Sequence, residues 1–449
     1  MSKHLILLIA LLALILPISA QDQPDNTLSV DASTSLGPIS PYVYGSNMNL
    51  YSVIPQALME QAKALGLRYM RFGGGDTDIV DLRNNIIDLF VLQSRIIGAE
   101  PALSVRLLGG TPEGAAEIVR YANITKNYNI KYWSIGNEPN LFVALMGVET
   151  YTAQDLATQW RAIAEAMREV DPDIIFVGPD ITQYVVLNYE DGQIEYLPPS
   201  LGGSALDAQG NDWLQDFLRA NGDLLGYVAI HRYPYPGLGL NSGANTDSLR
   251  NINDEWDIAI PNLRRIIRDV AGRDIPIAVT EVNSNSANSI GLPASLDSFY
   301  NALWLGDTLG RLIRNQVEIV AYWDVQGSSN RGWGLLGSYD IRPTAYTYYM
   351  YRHFGTELYD ATSTTPDVTI YAAKREDGTL TLMVINLGPD EVTPTLLING
   401  FTPAGPAEVW RFDAEHKATQ IDPQDITDGS TLSIPGQSMT VYVLPASNP

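Results

Sequence analysis

Tyr132-Trp133-Ser134-Ile135-Gly136-Asn137-Glu138-Pro139-Asn140 runs apolar and then stops on an amide, a carboxyl and a proline. Pro139 has no amide hydrogen to give a sheet ladder, so a strand through Tyr132–Ile135 must end before it. A second stretch repeats the pattern. Ile275-Pro276-Ile277-Ala278-Val279-Thr280-Glu281-Val282-Asn283 is a buried-strand run that also ends on a glutamate. Outward from these two, short β-rich runs alternate with longer amphipathic stretches, the rhythm of a parallel sheet with crossover helices. Eight strands are predicted, near Tyr42–Asn47, Tyr69–Phe72, Ala102–Leu107, Tyr132–Ile135, Ile174–Val177, Tyr227–His231, Ile275–Thr280 and Ile319–Trp323. The two glutamates then end strands four and seven.

Helical patterns fill the gaps. Ile54, Leu58, Ala62 and Leu65 recur at helical spacing before Gly66, and Thr152 with Asp155 has the form of a capping box opening a helix through Leu156, Trp160, Ile163 and Met167. This predicts an α/β fold, a (β/α)8 TIM barrel, whose active site forms at the C-terminal ends of the strands. An open doubly wound sheet is the alternative, and no GxGxxG follows the first strand to support it. Near Gly355 the pattern changes to alternating strands: Val368–Lys374, a turn at Asp377-Gly378, Thr379–Leu387, a turn at Asn399-Gly400, and Met439–Leu444. These predict a C-terminal antiparallel β-sandwich domain, with Leu28–Ala32 as an early strand that pairs with it. The expected boundaries are a leader at 1–20, an N-terminal segment at 21–36 pairing with the β domain, the barrel at 37–355 and the sandwich at 356–449.

The leader is expected because Met1-Ser2-Lys3-His4 precedes an apolar run from Leu5 to Pro17 and a small residue at Ala20. That run is shorter than the roughly 20 residues of a spanning helix. Export to the outside of the cytoplasm follows, with no membrane span after cleavage. The chain has no cysteine, which removes thiolate catalysis and iron–sulfur chemistry. It has four histidines (His4, His231, His353 and His416), no HExxH and no GxSxG. Acid–base chemistry therefore falls mainly to Asp, Glu, Tyr and Lys, and no metal or organic cofactor is expected. A formal charge of −23 argues against nucleic acid as a partner.

Two carboxyl groups facing each other across a barrel mouth suit glycoside hydrolysis, in which one protonates the leaving oxygen and the other attacks the sugar carbon. Gly136-Asn137-Glu138-Pro139 resembles the acid/base signature of the clan A glycoside hydrolases, (β/α)8 barrels that hydrolyse with retention. The resemblance covers the mature chain, including a C-terminal β domain like that of families 39, 51 and 79, with families 79 and 39 the nearer.

The resemblance implies roles position by position. Glu138 is the acid/base and Glu281 the nucleophile. Asn137 binds the sugar 2-hydroxyl, and Arg71, at the end of strand two, keeps Glu281 ionised. Tyr233 positions the nucleophile, with His231 beside it as a supporting or sugar-binding group. Trp323, ending strand eight, forms a platform under the ring. Asp76, Asp78, Asn283, Trp333 and Asp340 are expected in rim loops, mostly solvated. A uronic-acid substrate needs donors for its carboxylate. Arg232, Arg331 and loop amides are the candidates, and they make no dedicated set. The implied substrate is an extracellular oligo- or polysaccharide or glycoside. A carbohydrate-binding barrel without turnover, a transglycosylase and a structural cell-surface module are the rival readings, and the oligomeric state is left open.

Overall fold

The structure is a computed structural model that describes residues 26–446, apart from 51, 191, 200–203, 236–244 and 329. The expected leader and the glycine-rich stretch from Pro236 to Gly243 lie outside the described residues. In chain order the strands are β1 (Thr27–Pro38), β2 (Gly45–Met48), β3 (Tyr69–Phe72), β4 (Glu100–Val105), β5 (Tyr132–Ile135), β6 (Ile175–Thr182), β7 (Val186–Glu190), β8 (Gln193–Tyr196), β9 (Leu225–Arg232), β10 (Ile277–Val282), β11 (Ile319–Tyr322), β12 (Glu357–Ser363), β13 (Val368–Lys374), β14 (Leu380–Asn386), β15 (Thr395–Asn399), β16 (Ala407–Phe412), β17 (Lys417–Gln424) and β18 (Ser438–Leu444).

Eight of them close a parallel barrel in the order β10-β11-β2-β3-β4-β5-β6-β9. Strand alternation divides the apolar residues into two sets. Tyr69, Ala102, Tyr132, Val177, Ala229, Ala278, Ile319 and Ala321 pack together as one cluster inside the barrel. Their neighbours Met70, Leu103, Trp133, Phe176, Val228, Val279 and Val320 belong to the larger core beneath the helices.

The Thr152–Asp155 capping box is present and opens a helix at Ala153–Val170, whose Leu156, Trp160, Ile163 and Met167 are all buried. The stretch from Ile54 to Leu65 is a 3-10 turn, Gln56–Leu58, followed by a short helix, Met59–Ala64. β6 departs most from its expected bounds. It runs on to Thr182 instead of ending at Val177, with register shifts on either side of Pro179. Gly178-Pro179 reads as a strand end, but a bulge tolerates a proline. The extension carries Asp180 to the barrel rim.

Besides a two-stranded β7-β8 sheet, the other strands form a sheet of order β15-β1-β12-β13-β14-β18-β16-β17, antiparallel except where β1 meets β15. Residues from both ends of this order (Leu28, Val30, Leu396, Val409) share a core with Ile370, Leu382 and Tyr442, so the sheet folds over on itself as a sandwich. All seven residues of β14 and of β18 are buried, because their other face packs on the barrel. The helix Phe299–Arg314 fills that junction and is buried nearly all round. A Cβ at its Gly306 or Gly310 would come within 2.2 Å of Met439 or Tyr371, so glycine is what permits the approach.

Candidate active site

A cleft of about 650 Å³ opens at the C-terminal end of the barrel and is bordered by Asn137, Glu138, Tyr233, Glu281 and Trp323. Behind its lining lies Arg71, a fully buried guanidinium. Nη1 donates to Asn47 Oδ1 at 3.1 Å and to Glu281 Oε1 at 3.0 Å, while Nη2 donates to Asn137 Oδ1 at 2.9 Å and to Asp180 Oδ2 at 3.1 Å. The guanidinium needs Gly73, where a Cβ would lie 2.6 Å from Arg71 Cζ. Asn47 is tied in turn to the carbonyls of Thr280 and Ala321, which locks the ring of strands around the arginine.

Glu281 accepts a second bond at its other oxygen, from the Tyr233 hydroxyl at 2.6 Å. Burial pushes the Glu281 carboxyl above its ordinary value. His231 and Arg71 pull against that, and the Glu138 charge adds to it. Arg71 therefore opposes protonation of Glu281 without bringing it to the depressed value that the ion pair alone predicts.

Glu138 sits in the left-handed region at φ 49°, ψ 53°. For a residue with a Cβ that conformation costs roughly 1–2 kcal/mol, and such strain concentrates at functional sites. It is held there by its own amide, which donates to Asp180 O at 3.0 Å, and by the turn that Pro139 begins. Before it, Gly136 at φ +79° lies where a Cβ would meet Leu107 at 2.7 Å. Glu138 Oε1 is 3.1 Å from His231 Nδ1.

His231 is fully buried between three carboxyl groups. Its Nδ1 is 3.7 Å from Glu281 Oε2, and its Nε2 is 3.5 Å from Asp180 Oδ1, too long for a good hydrogen bond. Burial alone would push the imidazole down. Glu281, Asp180 and Glu138 outweigh it and push it up to about 9.

One ligand atom each from Glu138, His231 and Glu281 lie within 4.8 Å of one another, the spacing of a three-ligand metal cluster. The chemistry of the set opposes that use. Both Glu281 oxygens already accept donors, the arginine adds a fixed positive charge, and a protonated imidazole has no lone pair to give.

Of the seven residues predicted from the sequence, five thus border the cleft, and Arg71 and His231 lie buried against them. Asn137 presents Oδ1 to Arg71, and no bond to its Nδ2 is found among the described residues. Trp323 is half-buried against Gly74, where a Cβ would come 2.3 Å from the indole ring.

The rim residues divide. Asp76 and Trp333 border the cleft, and Asp340 is exposed away from it. Asp78 and Asn283 are buried rather than solvated. Asp78 accepts from the backbone amides of Leu107, Leu108 and Asn137, and Asn283 Nδ2 holds the Trp323 carbonyl at 2.7 Å. Arg232 is committed to Glu255 through two bonds and to Gln183 through a third. Arg331 lies over the Trp333 ring at the rim.

Two acidic residues of the site were not predicted. Asp180 touches Arg71 and Thr280, and Arg71 and His231 hold its carboxyl well below the usual range against its burial. Asp324 borders the cleft directly after Trp323. Both stand at barrel-strand ends, so the signal that found Glu138 and Glu281 applies to them as well.

No protein-family model and no curated protein matches the chain. Solved structures do. CelM2, a bifunctional glucanase-xylanase from a metagenome library, aligns over 95% of this chain and all of its own at 20% identity with a TM-score of 0.73. A Paenibacillus polymyxa xyloglucanase of glycoside hydrolase family 44 aligns over 94% of this chain and 99% of its own, at 16% identity and a TM-score of 0.71. A family 51 arabinofuranosidase from Xanthomonas axonopodis pv. citri aligns over 94% and 100%, at 13% identity and a TM-score of 0.70. At these identities the likeness establishes the fold, a barrel with a β-sandwich behind it. Family 51 is one the sequence resemblance named, and family 44 is one it did not.

Proposed function

We propose that this chain is a retaining O-glycosidase, acting outside the cytoplasm on an oligo- or polysaccharide or glycoside. The observation that carries the reading is the approach of Glu138 and Glu281, with carboxyl oxygens within 4.8 Å in the barrel-mouth cleft. Retaining enzymes set their two carboxyl groups about 5–5.5 Å apart, whereas inverting ones leave about 6.5–9.5 Å for a water. The activities named for the structural neighbours, all on glycans, support the same class.

Glu281, with Arg71 and Tyr233 donating to its two oxygens, suits the anion that attacks the anomeric carbon. Among the described residues Glu138 accepts from His231 alone, which leaves its second oxygen to carry the proton given to the leaving oxygen. The covalent glycosyl-enzyme then breaks when Glu138 takes a proton from water, which attacks the same carbon and returns Glu281. In this reading Asn137 Nδ2 donates to the sugar 2-hydroxyl, a bond that strengthens as charge develops, and Trp323 offers the ring an apolar face. Export rests on the apolar run from Leu5 to Pro17. Among the described residues, no helix is long and apolar enough to cross a membrane.

The test is a panel of aryl glycosides and neutral polysaccharides with the wild type, Glu138→Ala and Glu281→Ala. The product anomer is followed by NMR. Turnover with a retained anomer, lost in both variants, is expected. An inverted product, or full activity in Glu281→Ala, overturns the assignment.

A further inference from the structure

Of the four carboxyls that border the cleft, the mechanism above leaves Asp76 and Asp324 unused, and Asp324 is the buried one of the two. Asp324 is 2% exposed and borders the cleft with Trp323 and Glu281. Its Oδ2 accepts from Asn49 Nδ2 at 2.8 Å and from Ser52 Oγ at 3.4 Å. Its Oδ1 is buried and has no hydrogen-bond partner among the described residues. No ion pair within 4.0 Å joins it to a cation among them either, and Arg342 acts on it only at longer range. Burial pushes this carboxyl up to about 7, with the Glu281 charge adding to the rise. An orphan carboxyl oxygen is costly, and native structures that keep one usually do so for a ligand, a water or a catalytic step.

The geometry points to Asp324 as a specificity-determining residue: its unpartnered Oδ1 accepts a ring hydroxyl of a neutral sugar seated on Trp323, while Asn49 and Ser52 fix the carboxyl through Oδ2. This rests on the glycosidase reading and narrows it. Asp324 follows Trp323 directly, so platform and acceptor serve the same part of the cleft. A sugar bearing a carboxylate at that place meets Glu281 and Asp324, and among the described residues the one guanidinium that borders the cleft is that of Arg331. Arg71 is spent on four acceptors, Arg232 on Glu255 and Gln183, and Arg331 stands at the rim over Trp333. Replacing a hydroxyl partner leaves the buried acceptor unpaired again, which is why such contacts discriminate strongly.

The full chain is assayed on the aryl glycoside it cleaves best and on analogues lacking one ring hydroxyl each, in the wild type, Asp324→Ala and Asp324→Asn. Asp324→Asn keeps the side-chain shape if the alanine variant does not fold. Asp324→Ala is expected to lower kcat/KM at least tenfold on the parent sugar. One deoxy analogue should lose as much with the wild type and lose nothing further with the variant. An equal loss on every analogue, or no loss on the parent, overturns the role of Asp324. A glucuronide cleaved faster than every neutral glycoside overturns the substrate class and leaves the glycosidase reading standing. If the wild type cleaves no glycoside, that reading fails. Calorimetric binding of the same neutral sugars then decides the proposal, and equal affinity in wild type and Asp324→Asn overturns it.

Discussion

The two ends of the barrel are built from the same strands and hold opposite contents. At the N-terminal end, Tyr69 and Tyr132 from β3 and β5 meet Tyr42 and each other, and Tyr227 from β9 meets Tyr132, in tilted and edge-on ring contacts with centroids 5.5–6.0 Å apart. At the C-terminal end, the same three strands lead to Arg71, Glu138 and His231. Arg71 follows Tyr69 by two positions and His231 follows Tyr227 by four, so alternation along a strand points each pair into the barrel. One end fills its space with rings that gain by packing. The other fills it with charges that must be paired to be buried at all. The difference separates stability from chemistry along the barrel axis, and substitutions can test how cleanly.

The largest effect belongs to the charged end. Glu281→Ala should lower kcat on the order of 10⁴-fold or more, the loss typical of removing a catalytic group that acts in a unit. Glu138→Ala should cost roughly 10²–10⁴-fold, and least with aryl leaving groups that need little protonation. Glu138→Ala should keep its melting temperature within a few degrees, whereas Glu281→Ala also removes a partner of the buried Arg71 and should lower it. At the opposite end, Tyr132→Ala should cost about 3–5 kcal/mol, as large aromatic deletions do, with unchanged kcat per folded molecule. Urea unfolding and single-turnover rates on the same samples check both halves. A Tyr132 variant that folds well and loses activity would break the separation.

Asp180 sharpens it, because it lies on both sides of the division. Its side chain pairs with Arg71 and its carbonyl holds the Glu138 amide. Removing one partner of a buried ion pair costs about 3–5 kcal/mol. Asp180→Asn should therefore lower stability by that order and lower kcat as well, since Arg71 and His231 lose the same neighbour. Loss of stability with kcat intact would make Asp180 a packing residue only.

The contrast also explains what the sequence disclosed. The barrel was legible because its strand ends combine β-rich runs with abrupt polar stops, as at Ile135-Gly136-Asn137-Glu138 and Thr280-Glu281. The bounds of Tyr69–Phe72, Tyr132–Ile135 and Val368–Lys374 coincide with the observed strands. Asp180 was hidden because Gly178-Pro179 looks like a break, while the chain bulges and continues. Asp324 was hidden behind Trp323, whose size draws attention to packing. Asp78 and Asn283 look like loop polars because sequence carries no sign of which amides or carbonyls will need a buried partner. The strands β12, β15, β16 and β17 were not separately predicted. β17 shows why, since its residues are largely exposed and carry little apolar alternation.

The charged end should also respond to pH where the aromatic end does not. Glu281 must be ionised to attack, and its carboxyl lies above the ordinary glutamate value near 4.3. Activity should thus fall at the acid side at a higher pH than an exposed glutamate would give. Arg71→Lys should move that limb higher still, because a point charge replaces a fork that serves four acceptors. Stability has the opposite dependence at His231. Its folded value, about 9, lies above the ordinary 6.5, so its contribution is complete below about 6.5 and is lost as pH rises through 9. Melting temperature measured from pH 6 to 10 should fall in that window, and His231→Gln should flatten the fall. A flat wild-type curve would mean that the imidazole is neutral among its carboxyl groups.

The smallest expected effect lies away from both ends. Thr152 caps the helix Ala153–Val170 by accepting the Asp155 amide at 3.2 Å, and Asp155 returns the bond to the Thr152 amide at 2.9 Å. Thr152→Ala removes one half of that exchange and should cost about 1 kcal/mol. The helix packs outside the barrel, its apolar face buried around Trp160, and neither Thr152 nor Asp155 borders the cleft. The variant should therefore lower the unfolding midpoint slightly and leave kcat and KM unchanged. Its value is as a ruler. If so mild a loss of stability also lowered kcat, the barrel would be transmitting strain from its outer helices to the mouth, and the activity losses expected for Glu138, Glu281 and Asp180 would have to be read against that background.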